Sequence, residues 1–135
     1  MKRFFSILIL SVLFLFSNGC GGYRARNYEG PKLDVSEISI ITTDDQFVTI
    51  GGIDGKKSID KSDTVNVLIW GRYPREISVL PGKHSILPCY QNPYENACAE
   101  NWITIETEPG QTYIVKHERL DENKKKIKFW IDKLE

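Results

Sequence analysis

The sequence predicts an all-β fold, a small antiparallel β-sandwich of about seven or eight strands behind a cleaved signal peptide. Three observations carry this. Apolar and polar residues alternate with a period of two in several runs, turn-forming pairs separate those runs, and no long stretch past the N-terminal run carries a helical apolar period.

The chain begins with Lys2 and Arg3, followed by Phe4 to Phe16, which is apolar apart from Ser6 and Ser11. This is the anatomy of a signal peptide. The run is shorter than the roughly 20 apolar residues that a membrane-crossing helix needs. Ser17-Asn18-Gly19-Cys20 resembles a bacterial lipobox, in which a small residue precedes the cysteine that accepts a diacylglyceryl group. Ser17 stands where a lipobox usually carries an aliphatic residue. Cleavage before Cys20, lipid on its sulfur and a membrane as partner are therefore expected. Gly21, rather than aspartate, follows the cysteine, so the expected location is the cell envelope, at an outer membrane and facing the periplasm.

Residues 20–34 carry Gly21, Gly22, Gly30 and Pro31 without apolar alternation and read as a lipidated tether, with the sandwich spanning 35–135. Ile38 and Ile40 open the alternating runs. Val65, Val67 and Ile69, then Ile103 and Ile105, then Tyr113 and Val115, then Ile127, Phe129 and Ile131 continue them. Between them lie Thr43-Asp44-Asp45, Asp54-Gly55, Pro81-Gly82, Pro109-Gly110 and Asp121-Glu122-Asn123. Proline presets the φ of a turn's second residue and glycine accepts the positive φ that follows. Gly51-Gly52-Ile53-Asp54-Gly55 reads as a bulge and hairpin turn, because no helix follows to face a phosphate.

Charge narrows the partners. The chain balances 18 Lys and Arg against 18 Asp and Glu, and loss of residues 1–19 removes Lys2 and Arg3. A nearly neutral, slightly acidic domain lacks the basic surface that displaces counterions from nucleic acid. Of the three cysteines, Cys89 and Cys98 bracket a segment with the turn formers Asn92-Pro93 and Asn96, so a disulfide is expected in an oxidising compartment. A redox pair would want closer spacing, and a zinc site with His84 and His117 lacks ligand spacing.

The motifs Tyr28-Glu29-Gly30-Pro31, Ile53-Asp54-Gly55, Val79-Leu80-Pro81-Gly82-Lys83-His84, Glu108-Pro109-Gly110-Gln111-Thr112-Tyr113 and Trp130-Ile131-Asp132 follow one another along residues 28 to 132. In this order they resemble a group of uncharacterised small bacterial lipoproteins, distantly similar to PEGA-type β-sandwich domains. The resemblance implies an envelope location and a β-sandwich, and it brings no activity.

Catalytic motifs are absent: there is no G-x-S-x-G, Walker loop, H-E-x-x-H or G-x-G-x-x-G. The chain reads as a non-enzymatic binding or assembly module with no catalytic residue, metal or cofactor. A cell-wall glycan module and a small envelope hydrolase are the alternatives. Candidate residues for a ligand or partner surface are Tyr90 and Tyr94 beside the cysteines, Trp102 just after them, and His84. Aromatic side chains combine apolar area with a polar handle at such surfaces. His84 is expected to bond a turn carbonyl at the core edge and His117 to face solvent. Asp44, Asp45, Asp60 and Asp63 read as acidic turns, since calcium needs a fuller oxygen-rich loop. Lys124, Lys125, Lys126 and Lys128 form the basic cluster, either a solvated turn or a contact with anionic lipid.

Overall fold

A computed structural model describes residues 24–56, 73–121 and 126–135. Cys20, the strand expected around Val65 to Ile69, Asp60, Asp63, Lys124 and Lys125 lie outside the described residues. Nine strands are described and no helix: β1 (Arg24–Arg26), β2 (Ser39–Thr43), β3 (Val48–Ile53), β4 (Glu76–Val79), β5 (Gly82–Asn92), β6 (Glu95–Cys98), β7 (Ile103–Thr107), β8 (Thr112–Asp121) and β9 (Lys126–Lys133). They form a five-stranded sheet in the order β1-β4-β2-β8-β9 and a four-stranded sheet, β3-β5-β6 with β7 also on β5. The fold is all-β and sandwich-like, as expected; it departs from a purely antiparallel sandwich of seven or eight strands in its nine described strands and in two parallel pairs, β1 with β4 and β2 with β8.

The facing sides of the two sheets supply the core. Ile41, Ile77 and Val115 from one sheet and Val48, Ile50 and Ile86 from the other are fully buried. Along β2 the buried side is Ser39, Ile41 and Thr43, with Ile40 half-buried and Ile38, just before the strand, buried as well. Two polar side chains are tolerated there because they are bonded. Ser39 Oγ donates to Glu108 O at 2.7 Å and Thr43 Oγ1 to Asp45 O at 3.3 Å.

The sandwich starts earlier than the tether reading of residues 20–34 places it. Arg24–Arg26 pairs with β4, Ala25 is 1% exposed and Tyr28 is 7% exposed. Ala25 fills a place opposite Ile77, and the Tyr28 ring lies under the Arg26 guanidinium. A single alanine and a single tyrosine carry no readable period, which is why sequence pattern alone passes over them.

β5 is long because it carries β3 on one side and both β6 and β7 on the other. Pro88 sits inside it opposite Ile50, where the β3 register shifts between Ile50 and Gly52. A proline has no N–H for the ladder and is accommodated at such a bulge. Beyond the bulge, Ile53 and Lys56 exchange both backbone bonds at 3.0 Å around Asp54 (φ 49°) and Gly55 (φ 82°). Two positive φ values make this a type I′ turn, the one whose twist matches a hairpin. Gln111 N reaches Glu108 O around Gly110 (φ 72°), closing the expected Pro-Gly turn.

Cys89 and Cys98 face each other across β5 and β6 with their sulfurs 1.99 Å apart, so the disulfide is formed. The hairpin it clamps turns at Pro93 and Tyr94, where Asn92 Oδ1 accepts the Tyr94 N–H at 2.8 Å. Closing a loop of about ten residues stabilises by roughly 2.5 kcal/mol in the chain-entropy account. Reduction is accordingly expected to lower the urea unfolding free energy by about that amount, measured by circular dichroism with and without reductant.

Candidate functional site

β9 ends the five-stranded sheet and β7 is an edge of the other, and the two lie on the same side of the sandwich. Between them opens a shallow, solvent-open cleft of about 510 Å³. One wall comes from the end of β6 and the β6–β7 connection: Ala97, Cys98, Ala99, Trp102 and Ile103. The other comes from Leu120, Ile127 and Phe129 of the β8–β9 hairpin. Exposed Glu100, Asn101, Lys126 and Lys128 add polar and charged groups.

Local sequence explains both walls. On β9, Ile127, Phe129 and Ile131 alternate toward the sandwich interior while Lys126 and Lys128 point out. An edge strand dotted with lysine resists pairing with another chain. Trp102 is placed by what it covers: a Cβ added to Gly52 would lie 2.6 Å from its ring, so ring and bare backbone are in direct contact. The disulfide at Cys98 ties the start of this wall to β5.

Of the four aromatic and histidine candidates, Trp102 lines the cleft and the other three do not. Tyr90 packs inside a cluster, with its ring centroid 5.9 Å from Phe47 and 5.6 Å from His117 and the Arg119 guanidinium 5.3 Å above it. Arg119 bonds Glu95 at 3.1 Å, and that bond, with Tyr90 next, raises its pKa above the ordinary arginine value. Tyr94 is 94% exposed at the hairpin tip. His84 lies six residues before Tyr90 on β5, about 20 Å away along the strand.

His84 sits at the other end of the sandwich in a network that its neighbours saturate. Its Nε2 is 2.6 Å from Leu80 O, a turn carbonyl, and its Nδ1 is 2.8 Å from Asp54 Oδ2. Asp54 also accepts bonds from Asn27 Nδ2 and the Ser85 N–H, both at 3.0 Å. One ring nitrogen binds the type I′ turn at Asp54 and the other the β4–β5 turn at Leu80, so the role this geometry supports is structural. His84→Ala is expected to lower stability by about 1 to 2 kcal/mol through two lost bonds, readable as a shift in the urea midpoint.

The expectation of a solvent-facing His117 is corrected. Its side chain is 21% exposed and pairs with Asp44 at 3.0 Å while lying beside Tyr90. Asp44, in the acidic turn after β2, also accepts the His117 N–H at 3.3 Å. Asp45 Oδ1 accepts the Phe47 N–H at 2.8 Å. These carboxylates are engaged in turn geometry, and among the described residues no three His, Cys, Asp or Glu side chains gather as a metal site.

Leu120, Ile127 and Phe129 line the cleft without standing out as surface in the sequence. The available signal was Leu120, which is 58% exposed between the charged Arg119 and Asp121. It lies where the β8 register shifts, so the strand's alternation slips there. No protein family, curated protein or solved structure matches this chain.

Proposed function

We propose that this chain is a lipid-anchored envelope lipoprotein that acts as a non-enzymatic binding or assembly module, using the cleft between β7 and β9 as its contact surface. The observation that carries the anchoring is cysteine accounting. The chain has three cysteines, and the bond between Cys89 and Cys98 leaves Cys20 as the thiol available to lipid. Two acyl chains on one sulfur hold a protein stably where a single chain holds it weakly. Gly21 supports an outer-membrane location in a two-membrane bacterium, since it stands where aspartate would signal retention at the inner membrane.

The cleft supports binding because its lining mixes apolar side chains such as Trp102 and Phe129 with the charged groups of Glu100, Lys126 and Lys128. Mass spectrometry of the mature N-terminus tests the anchor: acylated Cys20 is expected, and an unmodified chain starting elsewhere refutes it. A photocrosslinker at Asn101, compared with one at exposed Glu106 on β7, tests the surface in intact cells. A discrete adduct from position 101 that disappears with Trp102→Ala is expected, and equal labelling from both positions rejects the cleft.

Trp102 beside Glu100 and Asn101 favours a cell-wall glycan as the second reading, since a ring flanked by polar groups can stack a sugar. Loss of retention on peptidoglycan with Trp102→Ala, while the crosslinked protein adduct stays absent, selects that reading.

A further inference from the structure

Strand register places the chain's start and the β8–β9 hairpin at the same end of the sandwich. Arg24 pairs with Glu76, and Ile77 pairs with Ile41, so Arg24 and Glu76 lie level with Thr42, which in turn pairs with Ile114. From that row β8 continues to Asp121, which pairs with Lys126 at the start of β9. The seven residues of β8 that follow Ile114, up to Asp121, carry that strand about 23 Å beyond the row. Cys20 precedes Arg24 by four residues and so stays within about 14 Å of it. β1 runs away from the hairpin end, so the chain enters the sandwich from the side on which the hairpin projects.

The same end is chemically distinct. Leu120 is 58% exposed and Tyr94 94% exposed. The Arg119–Glu95 bond brings the hairpin that bears Tyr94 against β8 beyond the row. Lys126 and Lys128 are exposed. The opposite end carries Val35, Leu80 and Leu134 as exposed aliphatic residues.

We propose that the end of the sandwich where β8 closes and β9 begins rests on an anionic lipid bilayer, with Leu120 and Tyr94 at headgroup depth and Lys126 and Lys128 on lipid phosphates. This rests on the anchoring of Cys20 proposed above. A tether of that length cannot hold the domain far from the bilayer, and the part projecting toward it carries an apolar side chain, an aromatic one and lysines. Tyrosine at the membrane interface and lysine above anionic headgroups are the residue types that such a surface favours. The cleft, whose wall includes Leu120, Ile127 and Phe129, then opens beside the membrane.

The full lipidated chain in vesicles of equal parts phosphatidylglycerol and phosphatidylcholine, compared with phosphatidylcholine alone, tests this by hydrogen exchange and mass spectrometry. Exchange around Leu120 and Tyr94 is expected to slow on the anionic vesicles, while exchange around Val35 and Leu134 is unchanged. Each lysine strengthens such contact about fivefold. High salt or Lys126→Glu with Lys128→Glu should therefore return exchange to the level seen on phosphatidylcholine. A melting temperature close to wild type confirms that the double variant is folded, and the salt arm needs no variant. Equal exchange on both vesicles, or protection at Val35 and Leu134 instead, overturns the orientation. The intact mass of the same sample separates the two claims. A lipidated Cys20 with no protection at the hairpin sinks the orientation alone, and an unlipidated chain sinks both.

Discussion

Truncation of Ile86 to alanine is expected to cost about 3 to 4 kcal/mol of unfolding free energy, within the range for deleting a buried isoleucine side chain. Ile86 has no exposed surface, and in β5 it stands between Ile53 of β3 and Ile103 of β7. Three strands meet there, so the cavity cannot close by moving one of them without disturbing the others. Ile114→Ala is the matched control. Ile114 is half-buried on the outward side of β8, and its loss should cost about 1 kcal/mol, because less apolar area returns to water. Urea unfolding of the two variants with equal slopes checks the difference. Equal costs would show that the core is not centred on β5.

Gly51→Ala should destabilise by about 3 kcal/mol for the opposite reason, overpacking. A Cβ at residue 51 would lie 2.3 Å from the Cys89 sulfur and 3.5 Å from the Tyr73 ring. That sulfur is bonded to Cys98 and buried, so it has nowhere to swing. Gly55→Ala separates clash from backbone strain. Gly55 adopts φ 82° with open space where a Cβ would go, so the variant bears only the left-handed penalty of about 1 to 2 kcal/mol. Reducing the disulfide frees the sulfur, and the cost of Gly51→Ala should then shrink. A cost that reduction leaves unchanged would show that the sulfur is not the obstacle.

Much of the sandwich was legible because alternation and turn chemistry are local. Tyr113 and Val115 alternate inward as read, and Asp54-Gly55 and Pro109-Gly110 form turns through dihedral preferences that need no distant partner. β3 was harder to read, because Gly51 and Gly52 remove the side chains that would display a period. β2 was ambiguous. With isoleucine at 38, 40 and 41, the apolar pattern fits either side, and in the fold Ser39 is buried with its hydroxyl bonded to Glu108 O, 69 residues away.

The candidate site was less legible. Trp102 could be picked out as an aromatic near a cysteine, yet its grouping with Phe129 and Leu120 depends on two edge strands, β7 and β9, lying side by side. Tyr90 could be picked out for the same reason, and Phe47, His117 and Arg119 cover it. An aromatic residue in a strand reads identically whether solvent or another ring lies over it.

The sequence by itself determined the all-β class, the turns and the opportunity for a Cys89–Cys98 bond, since each rests on the preferences of residues close together in the chain. Tertiary structure alone decided which side of β2 is buried, that Arg24–Arg26 belongs to the sandwich, and that a cleft opens beside the β8–β9 hairpin. Those outcomes turn on register and edge position, which are set by hydrogen bonds and packing between strands far apart in sequence. No local pattern encodes them.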